Sequence, residues 1–225
     1  MRITYLYNSG FLIETENTAV ITDYYTFDDG LITGDYLKRF KHVYFLVSHH
    51  HPDHYSKKIF DICENAKYIL SKDVWAKNKN AVHLKRGECF KDEVLFVRAY
   101  NSTDIGVSFY LELENKKIFF AGDLNLWHWR GEQPAFKEKA AKDAFLKTLD
   151  EIASFHKEFD AAFFPVDPRM KTDCDEGALM FLERFKVKLF IPMHFREAYY
   201  APKEFLKKNP GKTFVIKAPG DFCEV

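Results

Sequence analysis

Apolar and polar positions come in short alternating blocks through the first half of the chain and in longer, helical blocks through the second. The blocks at 3–7, 11–14 and 19–23 are strand-sized and are divided by the turn formers Asn8-Ser9-Gly10 and Glu16-Asn17. A short helix is predicted at 35–40. Residues 43–47 are apolar without interruption, the pattern of a strand covered on both faces. A helix at 57–64 follows, then strands at 68–70, 94–99, 107–113 and 118–120, the last two joined by a hairpin turn at Glu114-Asn115-Lys116. From 134 to 156 the rhythm changes. Phe136, Ala140, Ala144, Leu146, Leu149, Ile152 and Phe155 recur every two to four residues, a helical stripe opposite lysines and acids. Strands at 161–166, 189–192 and 214–216 then alternate with helices at 176–185 and 202–208. Antiparallel strands first and strand–helix alternation later predict an α/β or α+β fold with helices packed outside sheets.

Composition narrows the function classes. The 225 residues are 47% hydrophobic and 29% charged, enough for one large domain over 1–225 with a real core. Lysine and arginine (33) cancel aspartate and glutamate (33), so no global field favours nucleic acid or an anionic membrane. No apolar run approaches the ~18 residues of a membrane span, and Glu14 and Glu16 interrupt any secretory-type start. The four cysteines are scattered and form no CxxC pair. The expectation is a cytoplasmic protein with reduced thiols; oligomeric state stays open.

The chemistry begins directly after the 43–47 strand, in Ser48-His49-His50-His51-Pro52-Asp53-His54. Four of the nine histidines fall within six residues, and H-x-H-x-D-H is expected by chance only ~0.001 times in a chain of this composition. Two imidazoles one residue apart at a strand end can grip one cation from the same side. An Asp and a His just beyond can turn toward a second. Neutral imidazole suits zinc, iron, copper or nickel, and carboxylate broadens this toward iron and manganese. The bland reading, a His-rich surface loop, leaves the buried strand before it and the order of residues unexplained.

H-x-H-x-D-H after a strand resembles the signature of the metallo-β-lactamase fold superfamily, mostly metal-dependent hydrolases. Phe119-Phe120-Ala121-Gly122-Asp123 resembles the family's bridging aspartate, and Phe190-Ile191-Pro192-Met193-His194 its final histidine. Val20-Ile21-Thr22-Asp23 resembles the aspartate that braces the metal loop. The resemblance runs from Ile3 to about Ile216 and implies a four-layer αββα sandwich of two mixed sheets with the metal cleft at one edge. It implies His49, His51, Asp53, His54, Asp123 and His194 as ligands to one or two Zn2+ ions, with Mn2+ or Fe as alternatives. Asp53 would also orient the attacking hydroxide and receive its proton. The length is similar to lactonase-like and stand-alone hydrolases. A departure is visible: where the family carries a further histidine after the 94–99 strand, this chain reads Asn101-Ser102-Thr103-Asp104, and alignment puts Ser102 at that position. The His49/His51 position is then expected to be weak, empty, or completed by Asn101, Asp104, a water or substrate.

Other residues have two readings each. Trp127, His128 and Trp129 follow Asp123 and could line a substrate pocket or clasp the loop onto the next helix. Arg169, after Asp167, could hold a substrate carboxylate or phosphate, or simply pair with Asp167. His42, His83 and His156 have no such context. The leading expectation is hydrolysis of a small ester, lactone or phosphoester. Behind it stand an iron-dependent redox enzyme and a metal-binding scaffold without turnover. Nuclease activity ranks low, since no insert or basic excess is visible.

Overall fold

The computed structural model describes residues 1–26, 30–209 and 211–225. Strands β1 (Arg2–Tyr7), β2 (Gly10–Glu14) and β3 (Thr18–Thr22) form an antiparallel meander. From β3 the sheet continues in parallel through β4 (His42–Val47), β5 (Lys67–Ser71) and β6 (Ala81–Leu84). The second sheet starts with an antiparallel run, β7 (Cys89–Lys91), β8 (Leu95–Asn101), β9 (Val107–Leu113) and β10 (Lys116–Phe120). It ends with β11 (Glu158–Pro165) and β12 (Lys186–Met193) in parallel. A last strand, β13 (Phe222–Glu224), returns to pair with β1. The result is a seven-stranded and a six-stranded mixed sheet.

Helices α1 (Gly34–Leu37) and α2 (Ile59–Ile62) belong to the first sheet's connections. Helices α3 (Ala135–Phe155) and α4 (Glu176–Arg184) belong to those of the second, and α5 (Tyr200–Lys208) follows β12. Side-chain alternation explains the layers. In β4, Tyr44 and Leu46 join the core between the sheets, while Val43, Phe45 and Val47 pack with Leu37 and Ile59 of α1 and α2. In β11, Phe163 meets Phe11 of the other sheet at 4.8 Å between ring centroids, and its neighbour Phe164 meets Phe181 of α4 at 4.8 Å. Both strands therefore bury two faces, as their unbroken apolar runs require. Each fully buried Phe of this kind contributes roughly 1.5–3 kcal/mol of transfer free energy. Two sheets face to face with helices on both outer sides is the expected αββα sandwich.

Several boundaries differ from the sequence reading. The hairpin at Glu114-Asn115 forms as expected, with both residues at positive φ (49° and 61°), the conformation a two-residue turn between twisted strands demands. Residues 214–216 do not form a strand. One parallel bridge joins Phe190 to Thr213, with Phe190 donating to the Lys212 carbonyl and Phe214 to that of Phe190. The next ladder bond would need the N–H of Pro192, which has none. The edge strands β6, β7 and β13 escape notice because they are short and bury only Leu84 among them. In α3 the buried face is Phe145, Thr148, Leu149, Ile152 and Ala153, so Phe136 lies before the packed half and Leu146 and Phe155 lie off its buried face, all three exposed despite fitting the stripe.

Strand direction places the site. The carboxyl ends of β3, β4, β8, β10, β11 and β12 open on one edge of the sandwich, and every candidate ligand lies in a loop leaving one of these ends.

Candidate metal centre

The site is built on the turn at Ser48. One buried carboxylate, Asp23 at the end of β3, accepts from the Ser48 backbone N–H (2.7 Å), the Ser48 hydroxyl (2.6 Å) and His54 Nδ1 (2.6 Å). Because the Ser48 hydroxyl donates to Asp23, its oxygen is left to accept from His49 Nδ1 at 2.9 Å. With Nδ1 of both rings engaged in this way, Nε2 is the atom that each turns toward the cleft. Two glycines from the second sheet let it approach this turn. A Cβ on Gly106 would lie 2.1 Å from the Ser48 carbonyl oxygen, and one on Gly122 would lie 2.6 Å from Ser48 Cβ. Both also sit at positive φ (79° and 54°).

From the second sheet come Asp123 after β10 and His194 after β12. His194 takes a left-handed backbone conformation (φ 64°), its N–H donates to the Asn8 carbonyl (3.1 Å), and its Nδ1 donates to Asp167 Oδ2 (2.9 Å). Arg169 grips Asp167 through Nε and a terminal nitrogen at 2.6–3.1 Å. So His194 is oriented as His54 is, by a buried carboxylate behind it.

All six residues proposed as ligands converge. Asp123 lies between the histidines: its Oδ1 is 3.2 Å from His54 Nε2 and 3.3 Å from His194 Nε2, and its Oδ2 is 3.5 Å from His49 Nε2. Asp53 Oδ2 is 4.0 Å from His194 Nε2, and His51 Nδ1 is 3.0 Å from His49 Nε2. Two donor sets result, His49/His51/Asp123 and Asp53/His54/His194, each with its ligand atoms within 4.8 Å of one another. Two ligands about 2.1 Å from one tetrahedral ion would be about 3.4 Å apart. The decisive observation is what these atoms lack. His54 Nε2, Asp123 Oδ1 and His194 Nε2 are buried with no hydrogen-bond partner among the described residues. Three ligand atoms left without a partner and facing one another are costly, and a shared cation, displacing the proton that His54 carries, satisfies all three. The residues fit a metal.

Electrostatics separates the two histidines tied to Asp23. Burial, followed by the neighbouring His54, pushes His49 down to about 4. Burial acts the same way on His54, but the Asp123 and Asp23 carboxylates outweigh it and push that imidazole up to about 9. Burial alone would raise Asp53 and Asp123; the surrounding histidines hold both below the usual carboxylate range.

The remaining candidates divide. Trp127 borders the centre: its ring is edge-on to His194 at 5.9 Å, its Nε1 donates to the Asp123 carbonyl (2.8 Å), and it stacks on Trp129. Arg169 is Asp167's partner, with half its side chain exposed. Ser102 does not join the ligands; it is buried, and its hydroxyl accepts the Asp104 N–H (3.3 Å). His128 is also elsewhere. Its Nδ1 donates to the Leu126 carbonyl, and its Nε2 faces Asp173 (3.2 Å) and Glu176 (3.4 Å), where Arg130 neutralises both acids. His50 turns away to Asp73. Sequence reasoning did not find the part played by Asn8, nor Arg196, whose guanidinium donates to Asp53 (3.3 Å). The Asp167–Arg169 pair named from the sequence forms, and Asp167 adds to it the contact with His194 that the sequence did not show.

A family model for the beta-lactamase superfamily domain matches residues 2–129, more than half of the chain. Among solved structures, the chain is similar over its whole length to Igni18, a metallo hydrolase from the archaeon Ignicoccus hospitalis (TM-score 0.71, 19% identity, 98% of that chain covered). It is also similar to an isothiocyanate hydrolase from Delia radicum gut bacteria (TM-score 0.62, 11% identity, covering 100% of this chain and 99% of that one). A third likeness is to CmlA, a diiron β-hydroxylase from Streptomyces venezuelae (TM-score 0.63, 10% identity), where all of this chain matches 54% of the other. At these identities the likeness is one of fold.

Proposed function

The chain belongs to the beta-lactamase superfamily, and from its ligand geometry we propose that it is a metal-dependent hydrolase of a small ester, lactone or phosphoester. The observation that carries this reading is the trio of buried, unpartnered ligand atoms on His54, Asp123 and His194. His49, His51 and Asp123 would hold one cation and Asp53, His54 and His194 the other, with Asp123 between them. Zinc suits the imidazoles, and manganese or iron suits the carboxylates. Such a cation supplies hydroxide from water at neutral pH and polarises the carbonyl or phosphoryl oxygen under attack.

The chain's own residues do the rest. Asp53 is partly exposed at the mouth and is held ionised by His54 and His194, so it can take the proton of the attacking water. Trp127 forms an aromatic wall beside His194 and fixes Asp123 through its carbonyl. Arg196, half exposed and in contact with Asp53, offers a positive charge to an anionic substrate. The carboxylates also suit iron, which supports a second reading as a redox enzyme.

Protein purified without added metal should carry a transition metal. It should turn over at least one member of a panel of chromogenic esters, lactones and phosphodiesters, lose that activity to chelator and regain it on metal return. Full activity in excess chelator would end the hydrolase reading; a visible spectrum that changes on reduction would favour the redox one.

A further inference from the structure

The two donor sets are unequal. Beside Asp123, which lies between them, the second holds three ligands, Asp53, His54 and His194, and the first holds two, His49 and His51. Resting on the metal reading above, we propose that Asp104 is the missing ligand, so that the first position is held by two imidazoles and two carboxylates.

Proximity is the first argument. Asp104 Oδ2 lies 3.9 Å from His51 Nδ1, the same ring atom that faces His49 Nε2 at 3.0 Å. The residue comes from the β8–β9 loop, on the opposite sheet from the histidines, as Asp123 and His194 do. The loop is also pinned on both sides of Asp104. Thr103 donates to the Asn125 carbonyl (2.5 Å) and accepts the Asn125 N–H (3.0 Å), fastening it to the loop that carries Asp123. Gly106 packs against Ser48 and His49, and the Val107 N–H donates to the Ser48 carbonyl (3.0 Å), fastening it to the loop that carries the histidines. Ser102 caps the Asp104 N–H from below. Among the described residues, His51 is the only ionic partner of the Asp104 carboxylate, which is 44% exposed.

Charge is the second argument. With Asp104, the site carries three carboxylates. A hydroxide adds a fourth negative charge, which balances two divalent cations in a place where uncompensated charge is expensive. A carboxylate in place of an imidazole also hardens the first position, shifting it from zinc toward manganese or ferrous iron.

The test is calorimetric titration of the metal-free protein with Mn2+ and with Zn2+, comparing wild type, Asp104→Asn and Asp104→His, with circular dichroism to verify folding. Wild type should bind two ions. Asp104→Asn should weaken one binding event by at least about ten-fold and leave the other unchanged. Asp104→His should restore two events while raising the Zn2+/Mn2+ preference of the weaker position about ten-fold or more. Two events in both variants with wild-type affinity and preference would overturn the role of Asp104 and leave the hydrolase reading standing. A wild-type protein that binds no cation would overturn both.

Discussion

Asp23 shows how much of the centre depends on one atom group. Its three accepted hydrogen bonds fix the Ser48 turn, the His49 tautomer through the Ser48 hydroxyl, and His54 directly. Asp23→Asn keeps the shape but offers one acceptor oxygen in place of two and brings an N–H toward groups that already donate. Metal affinity should fall about 10–100-fold, measured by competition with a chelating dye; an unchanged affinity would mean that Asp23 serves folding alone. The histidines it holds also differ in proton content. With its pKa pushed up to about 9, His54 is protonated at pH 7 in the metal-free protein, whereas His49, pushed down to about 4, is already neutral. A cation must therefore displace a proton from His54 but none from His49. Below pH 9 affinity at the His54 position should rise about ten-fold per pH unit, one proton being released per ion. Titration calorimetry in two buffers of different ionisation enthalpy reads that proton directly. Binding at pH 7 with no proton release would contradict the charge state derived for His54.

Loops, rather than strands, carry every functional group, and each loop is held by contacts that the strands themselves do not make. The β8–β9 loop is the clearest case, because Gly106 lets its backbone lie against Ser48 and His49. Gly106→Ala would add a Cβ 2.1 Å from a carbonyl oxygen and 2.5 Å from His49 Cβ, at a φ of 79° that suits glycine. The loop must lift, and the cost should be at least about 2 kcal/mol in urea unfolding, with weaker metal binding at the His49/His51 position. An alanine variant of wild-type stability would show that the loop does not need this close approach. The core elements behind the loops tolerate far less ambiguity. Phe119, Phe159, Phe164 and Phe185 surround Phe181 at 4.7–5.9 Å between centroids, and this cluster seats α4 on the second sheet.

At the scale of the molecule, the centre is a clasp between the two sheets. The first sheet supplies His49, His51, Asp53 and His54, and the second supplies Asp123 and His194, so a bound cation joins surfaces that separate on unfolding. An ion that binds only the folded state stabilises it by about 2.7 kcal/mol at a free concentration of 100 Kd. For a chain of this size that corresponds to a rise in Tm of about 5–10 °C. Thermal unfolding with metal and with excess chelator should differ by that amount; coincident transitions would mean that the ligands do not bind across the sheets. The coupling also explains why buried, unpartnered nitrogens are tolerated here, since the cost of holding them dry is offset when the cation binds.

The sequence by itself determined whatever depends on neighbours in the chain. The unbroken apolar run of β4, the H-x-H-x-D-H order after it and the strand-end positions of Asp123 and His194 were all legible, because strand periodicity and ligand spacing are local. So was the Glu114-Asn115 hairpin, which needs only two residues that accept positive φ. Tertiary structure decided what depends on distance in space. Residues 214–216 have the pattern of a strand, but the pairing that starts at Phe190 runs next into Pro192, which has no N–H to give. Ser102 matched the family alignment, yet the turn of the loop carries Asp104 to His51, 53 positions earlier in the chain. Asn8, Asp167 and Arg169 acquire their roles from His194, a residue in another loop altogether. Periodicity says which face of an element is buried; which loop meets which is settled only when two sheets close on one another.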